Sequence, residues 1–199
     1  MHLPETADTR VLAIDIRLSL GHALTQLGEH GRRLVLLSEA EALARALDDR
    51  ARLGRVLASM ALVLAITGDP DGAMVASRQA LDLAVVLGDR ALQAQASHTL
   101  GQASYFIGDF SRAAELLRRI LEAADRQSGT PNTDVWILSQ SQAFLGRTLG
   151  ALGVFAEGRR HAEEALRLAT LEGRGATPIV VHAFLSRLYL DQGLSLIHI

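Results

Sequence analysis

Amphipathic stretches alternate with short glycine-containing breaks along almost the whole chain. Within a stretch, apolar residues recur three and four positions apart, which is the spacing of one buried stripe on an α-helix. The clearest stripe consists of Ala113, Leu116, Leu117, Ile120, Leu121 and Ala124. The pattern predicts a protein built from amphipathic helices.

The breaks recur at a nearly constant interval, which indicates an internal repeat. Intervals of 40, 40, 45 and 40 residues separate the glycines that end a helical stretch, namely Gly28, Gly68, Gly108, Gly153 and Gly193. Seven residues before each glycine an apolar residue is followed by a small one, at positions 21, 61, 101, 146 and 186. Twelve residues after the glycine stand Ala40, Ala80, Ile120 and Ala165. We interpret each repeat as one structural unit.

Each unit is predicted to be a pair of antiparallel helices. Its glycine permits the left-handed backbone turn that stops the first helix. The second helix has a start signal at Asp69-Pro70, since aspartate caps helices and proline suits their first position. The small residue lets the two helices approach closely. Because a lone pair cannot bury its apolar face, four pairs and one final helix are expected to stack into an α-solenoid.

The predicted boundaries follow this repeat. Residues 1–10 are expected to form a linker and residues 11–193 the solenoid. The repeats are expected at about 11–50, 51–90, 91–127, 135–174 and, in part, 176–193. The extra five residues between the third and fourth units fall in 127–134, which we interpret as a loop because it holds a glycine, a proline and the only asparagine.

Both ends of the sequence are expected to be non-native. After Gly193 the repeat requires an acidic–aromatic pair, but the sequence continues as Leu-Ser-Leu-Ile-His-Ile. A translated sequencing-library adapter would encode that hexapeptide, so 194–199 is predicted to be an adapter-derived tail. Met1 is not expected to be the natural start. The uncapped solenoid faces of such a fragment are expected to favour self-association.

Composition excludes several chemistries. All 20 basic residues are arginine, and lysine and cysteine are absent. The protein therefore has no phosphate-binding or Schiff-base lysine, no disulfide, and no thiolate for catalysis or metal binding. Its formal net charge of −2 provides no electrostatic footprint for nucleic acid or a membrane surface. With no signal peptide and no apolar run approaching the roughly 20 residues that a bilayer requires, a cytoplasmic location is expected.

No catalytic or cofactor-binding constellation is found in the sequence. The seven histidines are scattered, and none forms a paired metal-binding motif. The acidic residues near His161 are interpreted as a solvated helix face. Residues 68–72 superficially resemble a calcium loop but lack the later carboxylates, so we interpret them as a helix turn. The protein is expected to be non-catalytic and to need no cofactor or metal.

The repeated positions resemble the tetratricopeptide repeat (TPR). The leucine before the small residue and the glycine seven residues later fit that family, although a period near 40 also overlaps the HEAT and armadillo range. The sequence departs from the TPR pattern at Ser97 and Gln142, where a bulky residue is expected, and no proline closes the units. The resemblance implies an all-α, right-handed superhelix of about nine helices that binds proteins or peptides.

Three segments resemble a narrower group. Residues 87–94, 100–119 and 151–169 are similar to the C-terminal TPR region of bacterial class III adenylate/guanylate cyclase–ATPase signalling proteins. This resemblance implies the regulatory arm of a larger protein that bears a cyclase and an ATPase. Two alternatives are the sensing arm of an ATPase-type transcriptional regulator and a stand-alone scaffold.

The TPR resemblance also implies where a partner would bind. In a TPR array the first helices of successive pairs line the concave surface. Counting from the small residues, the candidate partner contacts are Arg55, Gln95, His98, Gln102, Tyr105, Gln140 and Arg147. Tyr105 is an anchor candidate, although its ring could instead pack between repeats. Binding of a chaperone tail is not expected, because the basic residue and asparagine that grip its carboxylate are missing.

Overall fold

The computed structural model describes residues 6–126, 134–172 and 177–193. This part of the chain folds into nine α-helices and contains no strand, which confirms the predicted all-α fold. The helices are α1 Ala7–Gln26, α2 His30–Ala46, α3 Arg50–Thr67, α4 Pro70–Leu87, α5 Arg90–Phe106, α6 Phe110–Asp125, α7 Val135–Ala151, α8 Phe155–Glu172 and α9 Thr177–Asp191. The predicted adapter tail, most of the predicted loop and the first five residues lie outside the described residues.

The protein divides into two compact units, Met1–Thr99 and Leu100–Ile199, with the boundary inside α5. In the first unit α2 packs against α1 and α3, and α3 packs against α4. In the second unit α7 packs against α6, α8 and α9, and α8 also packs against α9. Connections of two or three residues join most consecutive helices, and such short connections make neighbouring helices antiparallel.

The helices end as predicted. All five repeat glycines adopt a left-handed backbone, with φ between 71° and 90°. Two further residues with positive φ, Asp48 at 49° and Gly88 at 65°, follow α2 and α4. These two turns are also 40 residues apart, so the second helices of the first two pairs end in the same way as the first helices.

Aspartates cap four successive helices. The side chain at the cap accepts a hydrogen bond of 2.9–3.1 Å from the backbone N–H three residues later, at Asp49, Asp69, Asp89 and Asp109. These residues stand 20 positions apart, which is half the repeat. Of the four, only Asp69 is marked as a helix start by the sequence pattern. Glu29 occupies the same position before α2 and makes no side-chain cap.

The first helix begins at Ala7, four residues before the start expected for the first repeat. Thr6 and Thr9 provide the reason, because they cap the helix reciprocally. The Thr9 N–H donates to Thr6 Oγ1 at 3.2 Å, and the Thr6 N–H donates to Thr9 Oγ1 at 2.8 Å. This capping box satisfies two backbone donors that the helix would otherwise leave open.

Close helix approach at the small residues is confirmed most directly in the second unit. A Cβ atom at Gly146 would lie 2.7 Å from the Gly158 carbonyl oxygen, and one at Gly101 would lie 3.0 Å from Leu117 Cγ. In the first unit Gly21 instead accommodates Arg33, whose Cγ would lie 3.5 Å from an added Cβ. Ser186 is exposed, so it makes no such contact in the described part of the chain.

Candidate functional site

The first unit holds three of the predicted contact residues. Arg55 is exposed on α3, and Gln95 is half-buried on α5. His98 is only 2% exposed. Burial lowers the pKa of His98 to about 4, so its imidazole is neutral near pH 7. Among these three, only Arg55 and Gln95 present surface that a partner could reach without rearrangement.

The second unit holds the other four predicted contact residues. Gln102 and Gln140 are 7% and 8% exposed, so their amides lie among packed helices. Gln102 Oε1 is buried and has no hydrogen-bond partner among the described residues. Tyr105 on α5 and Arg147 on α7 are half-buried. These two residues are in direct contact and form the centre of the site.

Arg147 is held by two aromatic rings and one hydrogen bond. Its guanidinium carbon lies 4.7 Å from the ring centre of Tyr105 and 4.9 Å from that of Phe184. Its Nε donates to the Tyr105 hydroxyl oxygen at 2.8 Å. A cation over a ring face contributes about 0.5–2 kcal/mol, depending on its desolvation. The contacts give the guanidinium a defined position between α5 and α9.

Tyr105 also belongs to an aromatic cluster. Its ring centre lies 5.3 Å from that of Phe110 and 6.2 Å from that of Phe144. Phe144 in turn makes an edge contact with Phe184 at 5.1 Å. Each such pair contributes about 0.5–1.5 kcal/mol beyond its area burial. The Tyr105 ring therefore packs between helices, as the alternative interpretation of the sequence expected, while its hydroxyl orients Arg147.

Phe144 and Phe184 are parts of the site that the sequence alone did not identify. Both residues stand directly before the leucine of the repeat, in Phe144-Leu-Gly-Arg147 and Phe184-Leu-Ser-Arg187. A phenylalanine followed three residues later by an arginine thus recurs in two successive repeats, and this recurrence is the sequence signal that could have identified the two rings. Counting positions outward from the small residue identified Arg147 but not the rings that hold it.

Arg147 has no acidic partner among the described residues, in contrast to Arg52 in the first unit. Arg52 donates from Nε and Nη2 to the two carboxylate oxygens of Asp15, each at 2.9 Å, and from Nη1 to Asp49 at 2.8 Å. The hydrogen bond from Arg52 is the largest cause of the lowered pKa of Asp15. The guanidinium of Arg52 is thus paired with the protein's own carboxylates, whereas the guanidinium of Arg147 is paired with none among the described residues.

The remaining candidate features have structural explanations. Asp69 in the calcium-like segment caps α4, as the interpretation of a helix turn expected. His161 is half-buried, with Nδ1 2.5 Å from Gln142 Oε1 and Nε2 3.7 Å from Glu157 Oε1. The described residues contain no group of three or more His, Asp and Glu side chains that could hold a metal ion. Among the described helices, none has the length and apolar character needed to cross a bilayer.

Solved structures of TPR-like proteins are similar to this chain. A Rap protein complexed with Competence and Sporulation Factor superposes with a TM-score of 0.78 at 15% identity, over 92% of this chain and 50% of its own. BtubC from P. vanneervenii has a TM-score of 0.67 at 22% identity, over 87% and 68% of the two chains. A candidate kinesin light chain from Podosopora anserina, with TPR-like repeats, has a TM-score of 0.64 at 18% identity, over 96% and 90%. The fold is TPR-like.

Comparison by sequence finds relatives among candidate transcriptional regulators. No protein-family model matches the chain. Over 107 residues it is 32% identical to candidate HTH-type transcriptional regulators of Mycobacterium tuberculosis and Mycobacterium bovis. The aligned stretch covers 54% of this chain but only 12% of those proteins. The sequence thus corresponds to a small part of its curated relatives.

Proposed function

We propose that the protein is a non-catalytic module that binds a protein or peptide on the face formed by the first helices of its second unit, namely residues 100–106, α7 and α9. The observation that carries this proposal is the cluster of Tyr105, Phe144, Arg147 and Phe184. In this cluster the guanidinium of Arg147 on α7 is held in position by rings from the two neighbouring first helices, Tyr105 on α5 and Phe184 on α9. The structurally similar Rap protein, complexed with Competence and Sporulation Factor, supports a peptide-sized partner.

Within this proposal the predicted contact residues have two roles. In the second unit Tyr105 and Arg147 are half-buried and would touch the partner directly. In the first unit the exposed Arg55 and the half-buried Gln95 are separate candidate contacts. The other three candidates, Gln102, His98 and Gln140, are buried and would support the helices that carry those contacts.

We also propose that the module is the sensing or regulatory arm of a larger cytoplasmic bacterial protein. The names of the mycobacterial relatives favour a transcriptional regulator with a DNA-binding domain elsewhere. The resemblance of residues 87–94, 100–119 and 151–169 favours a cyclase–ATPase signalling protein. Sequencing the source DNA through both ends distinguishes the two, because it reads either a helix-turn-helix or a cyclase next to the ATPase. An open reading frame confined to residues 1–199 would contradict both of these proposed larger proteins.

The binding function is tested by selection from a random dodecapeptide library displayed on phage, with the whole protein as bait. We expect one enriched sequence family that binds the free protein at one site with a Kd of about 100 µM or tighter, which corresponds to roughly 5 kcal/mol. Selected peptides should compete with one another for that site. The proposal is overturned if no family is enriched over a control without the bait.

A further inference from the structure

We infer that the partner presents a carboxylate, from either an acidic residue or the C-terminus of a peptide, to the guanidinium of Arg147. This inference rests on the proposed binding function and specifies the chemistry of the same site. It follows from the donors that Arg147 leaves unused, from its fixed position and from the apolar surface beside it.

Four N–H groups of Arg147 have no acceptor among the residues that the structure describes. A guanidinium carries five N–H donors, and among the described residues only the one on Nε is used, by the Tyr105 hydroxyl oxygen. Arg147 is half-buried, and neither terminal nitrogen has a hydrogen-bond partner among the described residues. The two terminal nitrogens form a planar fork that matches the two oxygens of a carboxylate.

The position of this fork is set before any ligand arrives. Two ring contacts and the Nε hydrogen bond already restrict the long arginine side chain. A restricted side chain loses less conformational entropy on binding, so more of the interaction appears as affinity. Arg147 contacts two rings in the described residues, whereas Arg159 contacts one, that of Tyr189 at 5.2 Å.

Eight arginines lie within ion-pair distance of an Asp or Glu of the described residues, namely Arg17, Arg45, Arg50, Arg52, Arg112, Arg118, Arg119 and Arg167. Arg147 has no such carboxylate within the part of the protein that the structure describes. Partial burial among aromatic rings weakens its hydration, which raises the free-energy gain from an added anion. A carboxylate from a partner would bind the two terminal nitrogens of Arg147 end-on, whereas Nε and Nη2 of Arg52 hold Asp15 side-on.

The surface beside the fork is apolar. Phe106 is 44% exposed, and its ring centre lies 5.6 Å from that of Tyr105 and 6.3 Å from that of Phe144. An exposed aromatic ring beside a positively charged group favours a ligand that carries both an apolar group and a negative charge. The partner segment should therefore carry an apolar side chain close to its carboxylate.

The test uses the strongest dodecapeptide from the phage selection, synthesised in matched forms. In one form each Asp and Glu is replaced by its amide, and in another only the C-terminal carboxylate is amidated. Titration calorimetry with the wild-type protein should show at least a tenfold loss for whichever form removes the bound carboxylate, or about 1.4 kcal/mol. The form that weakens binding identifies the source of the carboxylate.

The protein is varied in parallel. Arg147→Met should weaken the parent peptide at least tenfold, and Arg147→Lys should retain part of the affinity because it keeps the charge but loses the fork. Arg119→Met is the matched control: Arg119 lies in the same unit on α6, a second helix, and pairs with Glu115. It should bind like the wild type.

Two results would overturn the inference while leaving the binding function intact. The first is a selected peptide whose affinity is unchanged in both amide forms. The second is wild-type affinity in Arg147→Met. The peptide forms test the wild-type protein, so the answer does not depend on how well that variant folds. A wild-type protein that selects no peptide contradicts the proposed function itself.

Discussion

His98 is a buried neutral histidine, and its protonation should set the stability of the protein in mild acid. Burial lowers its pKa to about 4, against about 6.5 in an unfolded chain. As the pH falls from 6.5 towards 4, the unfolded state takes up a proton that the folded state excludes, so stability is lost in this window. At pH 5 the loss should be about 2 kcal/mol relative to pH 7.

Urea unfolding at pH 7 and pH 5 measures this loss, and His98→Gln should remove it. His22 and His161 also have lowered pKa values, chiefly through burial, but both remain in the variant and so cancel in the comparison. The paired carboxylates of Asp15 and Asp49, whose pKa values are lowered, lose their stabilisation only below their unfolded pKa near 4. An equal pH dependence in the wild type and His98→Gln would contradict the assignment.

At the scale of the helices, one residue type, aspartate, determines where several of them begin. Aspartate caps four consecutive helices at regular intervals of 20, whereas Glu29 stands at the equivalent place without capping α2. The backbone φ at Glu29 is −80°, close to −84° at Asp49 and −81° at Asp109. A shorter acidic side chain at this position can therefore reach the backbone N–H of the first turn.

Glu29→Asp should accordingly stabilise the protein, by up to about 1 kcal/mol. The measurement is the urea concentration at the midpoint of unfolding, compared between variants whose free energy of unfolding has the same dependence on urea. Glu29→Ala serves as the control, since it removes the charge without adding a cap and should give no gain. A lower midpoint for the aspartate variant would show that α2 does not need this cap.

The contact between α7 and α8 depends on a pair of glycines. A Cβ at Gly146 would lie 2.7 Å from the Gly158 carbonyl oxygen, and backbone cannot move aside as a flexible side chain can. Gly146→Ala should therefore destabilise the protein by about 2 kcal/mol or more through overpacking. Gly31→Ala is the control, because an added Cβ there meets nothing within 4 Å.

Gly31→Ala should be neutral or stabilising by up to about 1 kcal/mol, because alanine favours a helix over glycine. Thermal unfolding of the two variants gives the comparison directly. If Gly146→Ala matched Gly31→Ala, the close approach of α7 and α8 would be disproved.

At the scale of the whole molecule, the periodicity of the sequence is enough to predict the class of fold. The repeat glycines mark helix ends because their left-handed backbone stops a helix. The helix starts are harder to find, since aspartate is common and its interval of 20 becomes meaningful only when the helices are known. The site is predictable in part: Arg147 and Tyr105 follow from counting along the repeat.

The contact of Arg147 with Phe184 could not be predicted in the same way. The two residues are far apart in sequence and meet only because α7 packs against α9. Burial of His98, Gln102 and Gln140 was also not foreseen, because counting along a repeat places a residue on a face without showing how deeply neighbouring helices cover it. Sequence periodicity specifies the side of a helix, whereas packing decides accessibility.

First helices of the second unit are proposed to form the binding face, and this is the central claim. Hydrogen–deuterium exchange of the protein with and without a selected dodecapeptide tests it most directly. We predict that saturating peptide slows amide exchange by about tenfold in residues 100–106, in α7 and in α9, with little change in α6 and α8. Protection confined to α6 and α8, or to the first unit, would contradict the claim.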